Sequence, residues 1–212
     1  MGFGIALFGY AFLLLNEMGG VLLGAPMLAY GFFLASRLEG YFLHAAVSSL
    51  FMLPRGIYLF CSLIFGLEMN PLINTVTFIL HMCAWIMMTF FWLTAVMKIA
   101  RENQAGKLER QARNRLVLTV VLLTLALASE LLNLDGTLGD FSGAIMTANY
   151  ISQYAIIIIN TLFLHTCFVL ITSARQYEKD KQELAKERAK ALEKKHKEQQ
   201  EAAKRLEKRN KR

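Results

Sequence analysis

The sequence predicts an all-α integral membrane protein: a six-transmembrane-helix bundle whose last helix is extended into a long charged cytoplasmic helix. Of the 212 residues, 55% are hydrophobic and only 18% are charged, whereas soluble domains carry about 25% charge. Residues 1–174 hold eight basic and eight acidic side chains, so the whole net charge of +7 lies in residues 175–212. This pattern excludes a water-soluble globular enzyme, a disordered chain and a disulfide scaffold. It predicts a transmembrane bundle followed by a basic tail.

Four long apolar runs supply the main crossings of the predicted bundle. A helix needs about 20 apolar residues to cross a hydrocarbon core of about 30 Å. We expect these spans at residues 41–67, 71–100, 115–134 and 144–174. Pro54 interrupts the earliest of them and frees the Leu50 carbonyl from its helical hydrogen bond, which predicts a kink at this point.

The first 36 residues contain two shorter apolar runs, 2–15 and 21–36. As helices they would be about 21 and 24 Å long. A single helix through both runs would place Glu17 in lipid, so a hairpin that turns at residues 16–20 is more economical. Its small residues allow close helix contact. This hairpin brings the number of spans to six. A re-entrant or interfacial first segment, which leaves five crossings, is the alternative.

The distribution of basic residues predicts the orientation. Residues 98–115 carry six basic and two acidic side chains, and the positive-inside rule assigns such a loop to the cytoplasm. The tail, residues 175–212, is separated from this loop by two spans and is cytoplasmic by the same rule, so the two assignments agree. We therefore expect both termini in the cytoplasm. The residue usage and the short loops favour a bacterial plasma membrane.

The tail lacks Gly and Pro and is predicted to form a helix. Pairs such as Glu193–Lys197 have the spacing and order that stabilise a solvated helix. Its least polar heptad positions form a weak seam at Ala185, Leu192, Gln199 and Leu206. Three interpretations stay open: a solvated single helix, a weak coiled coil or partner-docking helix, and a helix lying on anionic lipid. Nucleic acid is not an expected partner, because aromatic residues are not interleaved with the basic ones.

Two charges lie inside the predicted spans, where charge is costly and often functional. Arg55 and Glu130 each lie 14 residues into spans that run in the same direction. Both therefore fall at about the same depth, roughly 21 Å from the cytoplasmic edge. An Arg55–Glu130 pair is the resulting hypothesis.

Polar residues in other spans reach a comparable depth or share a helix face. The last span places three of them on one face by their spacing. The predicted cluster comprises Arg55, Glu130, Asn149, Gln153, His81 and Asn160. It is either a cavity, open to the outside, that recognises a polar or anionic solute, or a structural network that holds the helices together.

Cofactor, metal and enzyme signatures are weak or absent in the sequence. His44 and His165 fall at similar depths, and opposed histidines on two helices could ligate haem. No set of His, Cys and carboxylate residues has metal-ligand spacing, so neither a metal nor a cofactor is predicted. The chain has no HExxH, GxSxG or P-loop motif, and we do not expect an enzyme.

The functional expectation is a sensing or assembly subunit whose basic helix contacts a protein partner. Besides membrane lipid, the expected partners are another protein or a second copy, bound through the tail or the glycine-rich first hairpin. A membrane bundle followed by a charged helix resembles, in layout only, the sensor half of multi-pass histidine kinases. The alternative is a small solute transporter, or the substrate-binding subunit of a larger one, with its cavity at Arg55 and Glu130.

Overall fold

The computed structural model describes residues 2–66, 70–134 and 139–171. Their regular structure is entirely helical. The helices are α1 (Gly2–Leu13), α2 (Val21–Ala35), α3 (Tyr41–Leu50), α4 (Leu53–Phe65), α5 (Pro71–Glu102), α6 (Gly106–Leu134) and α7 (Ser142–Ile171). The chain divides into two units, Met1–Phe168 and Val169–Arg212. The predicted tail at 175–212 lies outside the described residues.

Four helical segments are long and apolar enough to cross a membrane: Tyr41–Phe65, which joins α3 and α4, and the helices α5, α6 and α7. Between 17% and 44% of their most apolar windows is buried inside the protein. The rest of each window includes exposed large apolar side chains such as Leu63, Val76, Leu125 and Ile158. Such a surface suits lipid rather than water. The all-helical class predicted from the sequence is confirmed for the described residues, and four of the segments have the length and composition of membrane spans.

The first two helices form a hairpin with a turn at the residues where the sequence predicts it. A short 3-10 segment, Asn16–Met18, is followed by Gly19 with a φ of 78°. Only glycine adopts this left-handed conformation without steric cost. With 12 and 15 residues, α1 and α2 are about 18 and 22 Å long. Both are shorter than the four spanning segments.

Glycines allow the backbones of α1 and α2 to touch. A Cβ atom on Gly31 would lie 2.6 Å from the Ala6 nitrogen, and one on Gly9 would lie 2.8 Å from the Leu28 nitrogen. Real Cβ atoms do not approach backbone atoms this closely. The predicted small-residue contact within the first hairpin therefore occurs at backbone level.

The helix is interrupted between α3 and α4, where the sequence predicted a kinked but continuous helix. The amides of Phe51 and Met52 bond to carbonyls three residues earlier, which tightens and ends α3. Pro54 then lies in the first turn of α4, where its missing N–H leaves no helical hydrogen bond unmade. Gly56 brings this turn against the backbone of Leu22 in α2. The break places Arg55 at the beginning of a helix rather than in the middle of one.

Aromatic side chains fill the centre of the first unit. The ring of Phe32 stacks on Phe42 and on Trp92, with centroids 6.0 and 6.3 Å apart. The ring centroid of Phe163 in α7 lies 6.0 Å from that of Trp92. One aromatic column thus ties α2, α3, α5 and α7 together.

Candidate functional site

Arg55 is 8% exposed and reaches from the first turn of α4 to the first turn of α5. Its guanidinium donates hydrogen bonds to the side-chain oxygen of Asn74 and, over 3.3 Å, to the Asn74 carbonyl. It also lies over the ring of Phe78, 5.7 Å from the centroid. This contact is a cation–π interaction. The buried charge is therefore held by α5 through two kinds of contact.

Three residues of the predicted cluster line a single cavity between α5, α6 and α7. Glu130, Asn149 and Gln153 share its wall with Phe78, the residue that supports Arg55. The amide of Asn149 donates to the hydroxyl of Ser129, one residue before Glu130. The structure thus gathers four of the six predicted residues around Phe78. The direct Arg55–Glu130 pair stays a prediction.

The size of this cavity limits what it can hold. The volume that the centre of a water molecule can occupy in this cavity is about 10 Å³. This is about the smallest volume that accommodates one water. A drug-sized or metabolite-sized solute needs a site of about 300 Å³ or more. In this conformation the cavity suits one water or a similarly small polar group.

A second cavity of the same size lies on the other side of Gln153 and Tyr150, which line both cavities. Its wall includes Asn16 and Trp85. Within the described residues, the Oδ1 atom of Asn16 and the indole N–H of Trp85 are buried without a hydrogen-bond partner. One is an acceptor and the other a donor, so a single water could satisfy both.

His81 lies beside the second cavity rather than on its wall. It is 1% exposed, and its ring contacts that of Trp85 with centroids 5.8 Å apart. In the part of the chain that the structure describes, neither ring nitrogen has a hydrogen-bond partner. Buried polar atoms without partners are rare and costly, so this part of α5 is a polar site built into an apolar core.

Asn160 is separate from both cavities. It is fully buried and donates a hydrogen bond of 3.4 Å to the hydroxyl of Thr119 in α6. Nearby, Arg115 donates to the Ile159 carbonyl over 2.7 Å and lies 4.7 Å from the Phe163 ring centroid. These contacts bind α6 to α7 and favour a structural role for Asn160.

The two histidines considered for haem are both exposed. His44 packs on the ring of Phe91, 5.2 Å away, and neither His44 nor His165 lines the two cavities. The haem hypothesis gains no support from this arrangement. Among residues 2–66, 70–134 and 139–171, no three His, Cys, Asp or Glu side chains are grouped to hold a metal ion.

Several residues of the site were missed by the sequence argument. Asn74, Phe78 and Trp85 were missed, although they recur at helical spacing with the predicted His81 on one face of α5. Asn16 gave no comparable signal, because its place depends on how α1 packs against α7.

The sequence matches no protein-family model, and no curated protein or solved structure matches it either. The function is therefore argued from the residues of this chain alone. Chemically, the site combines a buried guanidinium, a carboxyl group, four amide side chains and a histidine, on or beside the walls of two spaces of water size.

Proposed function

We propose that this protein is a non-enzymatic sensing or assembly subunit of a membrane, whose basic cytoplasmic helix contacts a protein partner. The observation that carries the proposal is the division of the chain into a charge-neutral, closely packed bundle and a tail with the whole net charge of +7. The bundle has contacts suited to a scaffold: a column of aromatic rings, backbone contact between α1 and α2, and cavities of water size. The net positive charge of the tail is the property that suits binding to a protein partner.

The proposed topology has six crossings with both termini in the cytoplasm of a bacterial cell. Its support is the position of the basic residues: residues 98–115, at the adjoining ends of α5 and α6, and the tail carry most of them, whereas the connections between the other helices are acidic or neutral overall. The short helices α1 and α2 cross only where the bilayer thins or where flanking residues extend to the interface. A hairpin that enters one leaflet is the competing arrangement.

Co-purification tests the proposal. The full chain and a variant that ends before Tyr177 would be purified in mild detergent, and every co-purifying protein identified by mass spectrometry. We expect a stoichiometric partner with the full chain that disappears with the tail, and that binds again when the two purified components are mixed. A single symmetric elution peak for each form and equal thermal unfolding temperatures of the two bundles control for folding.

A second outcome of the co-purification would contradict the proposal. If both forms are isolated alone, or as the same homo-oligomer, the tail has no partner-binding role and the proposal is wrong.

Transport is the second candidate, and one observation favours it. Glu130, Asn149 and Gln153 come from two helices onto one cavity wall, which also includes Phe78, the residue whose ring Arg55 contacts. Because the cavity has room for about one water, transport requires α6 and α7 to move away from α5. Solute-induced thermal stabilisation that is lost in Glu130→Gln, and retained without the tail, would favour transport over assembly.

A further inference from the structure

The first turns of α6 carry an exposed basic surface, formed by Lys107, Arg110 and Arg113. These residues recur every three positions, so they lie on one side of the helix. None of the three forms an ion pair or a hydrogen bond with the described residues, whereas nearby Arg101 and Lys98 are paired with Glu109 and Glu39. The basic surface is therefore available to a ligand outside this part of the chain.

The opposite side of α6 is buried in the protein interior. The residues buried there recur at helical spacing along about five turns: Leu108, Ala112, Thr119, Leu123 and Ala126. They are the residues on the side of α6 that packs on its neighbours, principally α5. The basic surface consequently points away from the bundle.

The basic surface continues directly into the apolar surface of the same helix side. Above Arg113, the exposed large apolar residues on this side include Val117, Leu118, Val121 and Leu125. An exposed apolar stripe on a membrane-crossing helix faces lipid tails. Because the basic side chains stand on the same side, one to three turns further along the axis, they reach the level of the lipid headgroups. Long basic side chains near the ends of membrane helices extend to this level.

We propose that Lys107, Arg110 and Arg113 form a binding surface for the phosphate groups of anionic phospholipids in the leaflet at this end of the bundle. Charge complementarity selects lipid phosphate, and the apolar stripe beneath supplies a place for the acyl chains. Each basic side chain near an anionic surface contributes about fivefold to binding. The proposal needs only that α6 crosses a membrane, and it stands whether or not the tail has a protein partner.

Native mass spectrometry of the full chain in neutral detergent tests this surface. The protein would be titrated with phosphatidylglycerol and, separately, with phosphatidylcholine of the same acyl chains. The variant K107Q/R110Q/R113Q removes the surface, and the matched control K194Q/K197Q/R205Q removes the same charge from the tail. We expect the tightest phosphatidylglycerol site to weaken about tenfold or more in the first variant and less than about twofold in the control.

Further comparisons distinguish an effect of charge from an effect on folding, and distinguish lipid from a protein ligand. R110K/R113K should keep the affinity for phosphatidylglycerol, and phosphatidylcholine binding should be equal in all variants. The proposal is overturned if the unmodified protein does not prefer phosphatidylglycerol, or if the two triple variants lose affinity equally. Unchanged lipid binding with loss of an acidic co-purifying protein would assign the surface to that protein and also overturn it.

Discussion

Trp92 of α5 donates a hydrogen bond from its indole nitrogen to the hydroxyl of Tyr10 in α1, over 3.0 Å. Both side chains are completely buried, and their rings meet edge to face with centroids 6.1 Å apart. The two residues are 82 positions apart in the chain. This contact joins the short first hairpin to the longest helix of the bundle.

Replacing Tyr10 with Phe should destabilise the protein by about 1–3 kcal/mol, because the Trp92 N–H would be left buried without an acceptor. Thermal unfolding in detergent, followed by circular dichroism, measures the change. Tyr30→Phe is the matched control, since Tyr30 is exposed, and its unfolding temperature should stay the same. Equal stability of both variants would show that the buried hydrogen bond contributes nothing.

The backbone contact between α1 and α2 predicts a strong effect at Gly31. Gly31→Ala adds a Cβ atom where Ala6 and the Gly2 carbonyl already lie within 2.8 Å, so the helices must separate. We expect a loss of about 1–3 kcal/mol in the free energy of unfolding. Gly40→Ala is the control, because nothing lies within 4 Å of its Cβ position. A Gly31→Ala protein as stable as the Gly40→Ala protein contradicts the close packing of the hairpin.

Asn74 is predicted to hold the buried charge of Arg55. Asn74→Ala removes the side-chain acceptor of the guanidinium, and hydrogen bonds to charged groups contribute about 1.5–3 kcal/mol. We expect a loss of that size, again measured by thermal unfolding. Asn103→Ala is the comparison: Asn103 bonds only to the backbone at the end of its own helix, so its loss should be smaller. If Asn103→Ala destabilises the protein more than Asn74→Ala does, Asn74 does not stabilise the buried charge of Arg55.

A double-mutant cycle on Arg55 and Glu130 tests the pair predicted from their equal depth. The variants R55Q, E130Q and R55Q/E130Q would be compared with the unmodified protein by chemical or thermal unfolding. Coupled residues give interaction energies of about 0.5–3 kcal/mol. Additive effects, within about 0.5 kcal/mol, would mean that Arg55 and Glu130 stabilise the protein independently and do not form a pair.

Much of the fold followed from simple physical patterns. Apolar length identified the four long segments, and the turn at residues 16–20 followed from the cost of placing Glu17 in lipid. Depth and helical spacing also grouped Glu130 with Asn149 and Gln153, and these three residues line one cavity. The predictions of the long segments and of the first turn could be made because each depends on one helix or on the membrane, not on how helices rotate against each other.

The parts of the fold and of the candidate site that the sequence did not predict depend on tertiary contacts. Counting depth along a continuous span assumed that residues 41–67 form one helix, whereas the break after Leu50 moves Arg55 to the first turn of α4. Its partner, Asn74, lies in the first turn of α5 and was overlooked for that reason. Trp85 was missed because an indole on an apolar helix gives no sign that its N–H lacks a partner.

The glycine contacts of the first hairpin have a consequence for biogenesis. Neither α1 nor α2 is long enough to leave the insertion machinery as an independent membrane segment, and the chain makes both before the four long helices. Because glycines let their two backbones touch directly, we expect them to enter the bilayer together as a preassembled pair. A defect at Gly9 or Gly31 should therefore lower the amount of inserted protein in the cell, as the quality-control proteases remove chains whose hairpin fails to close.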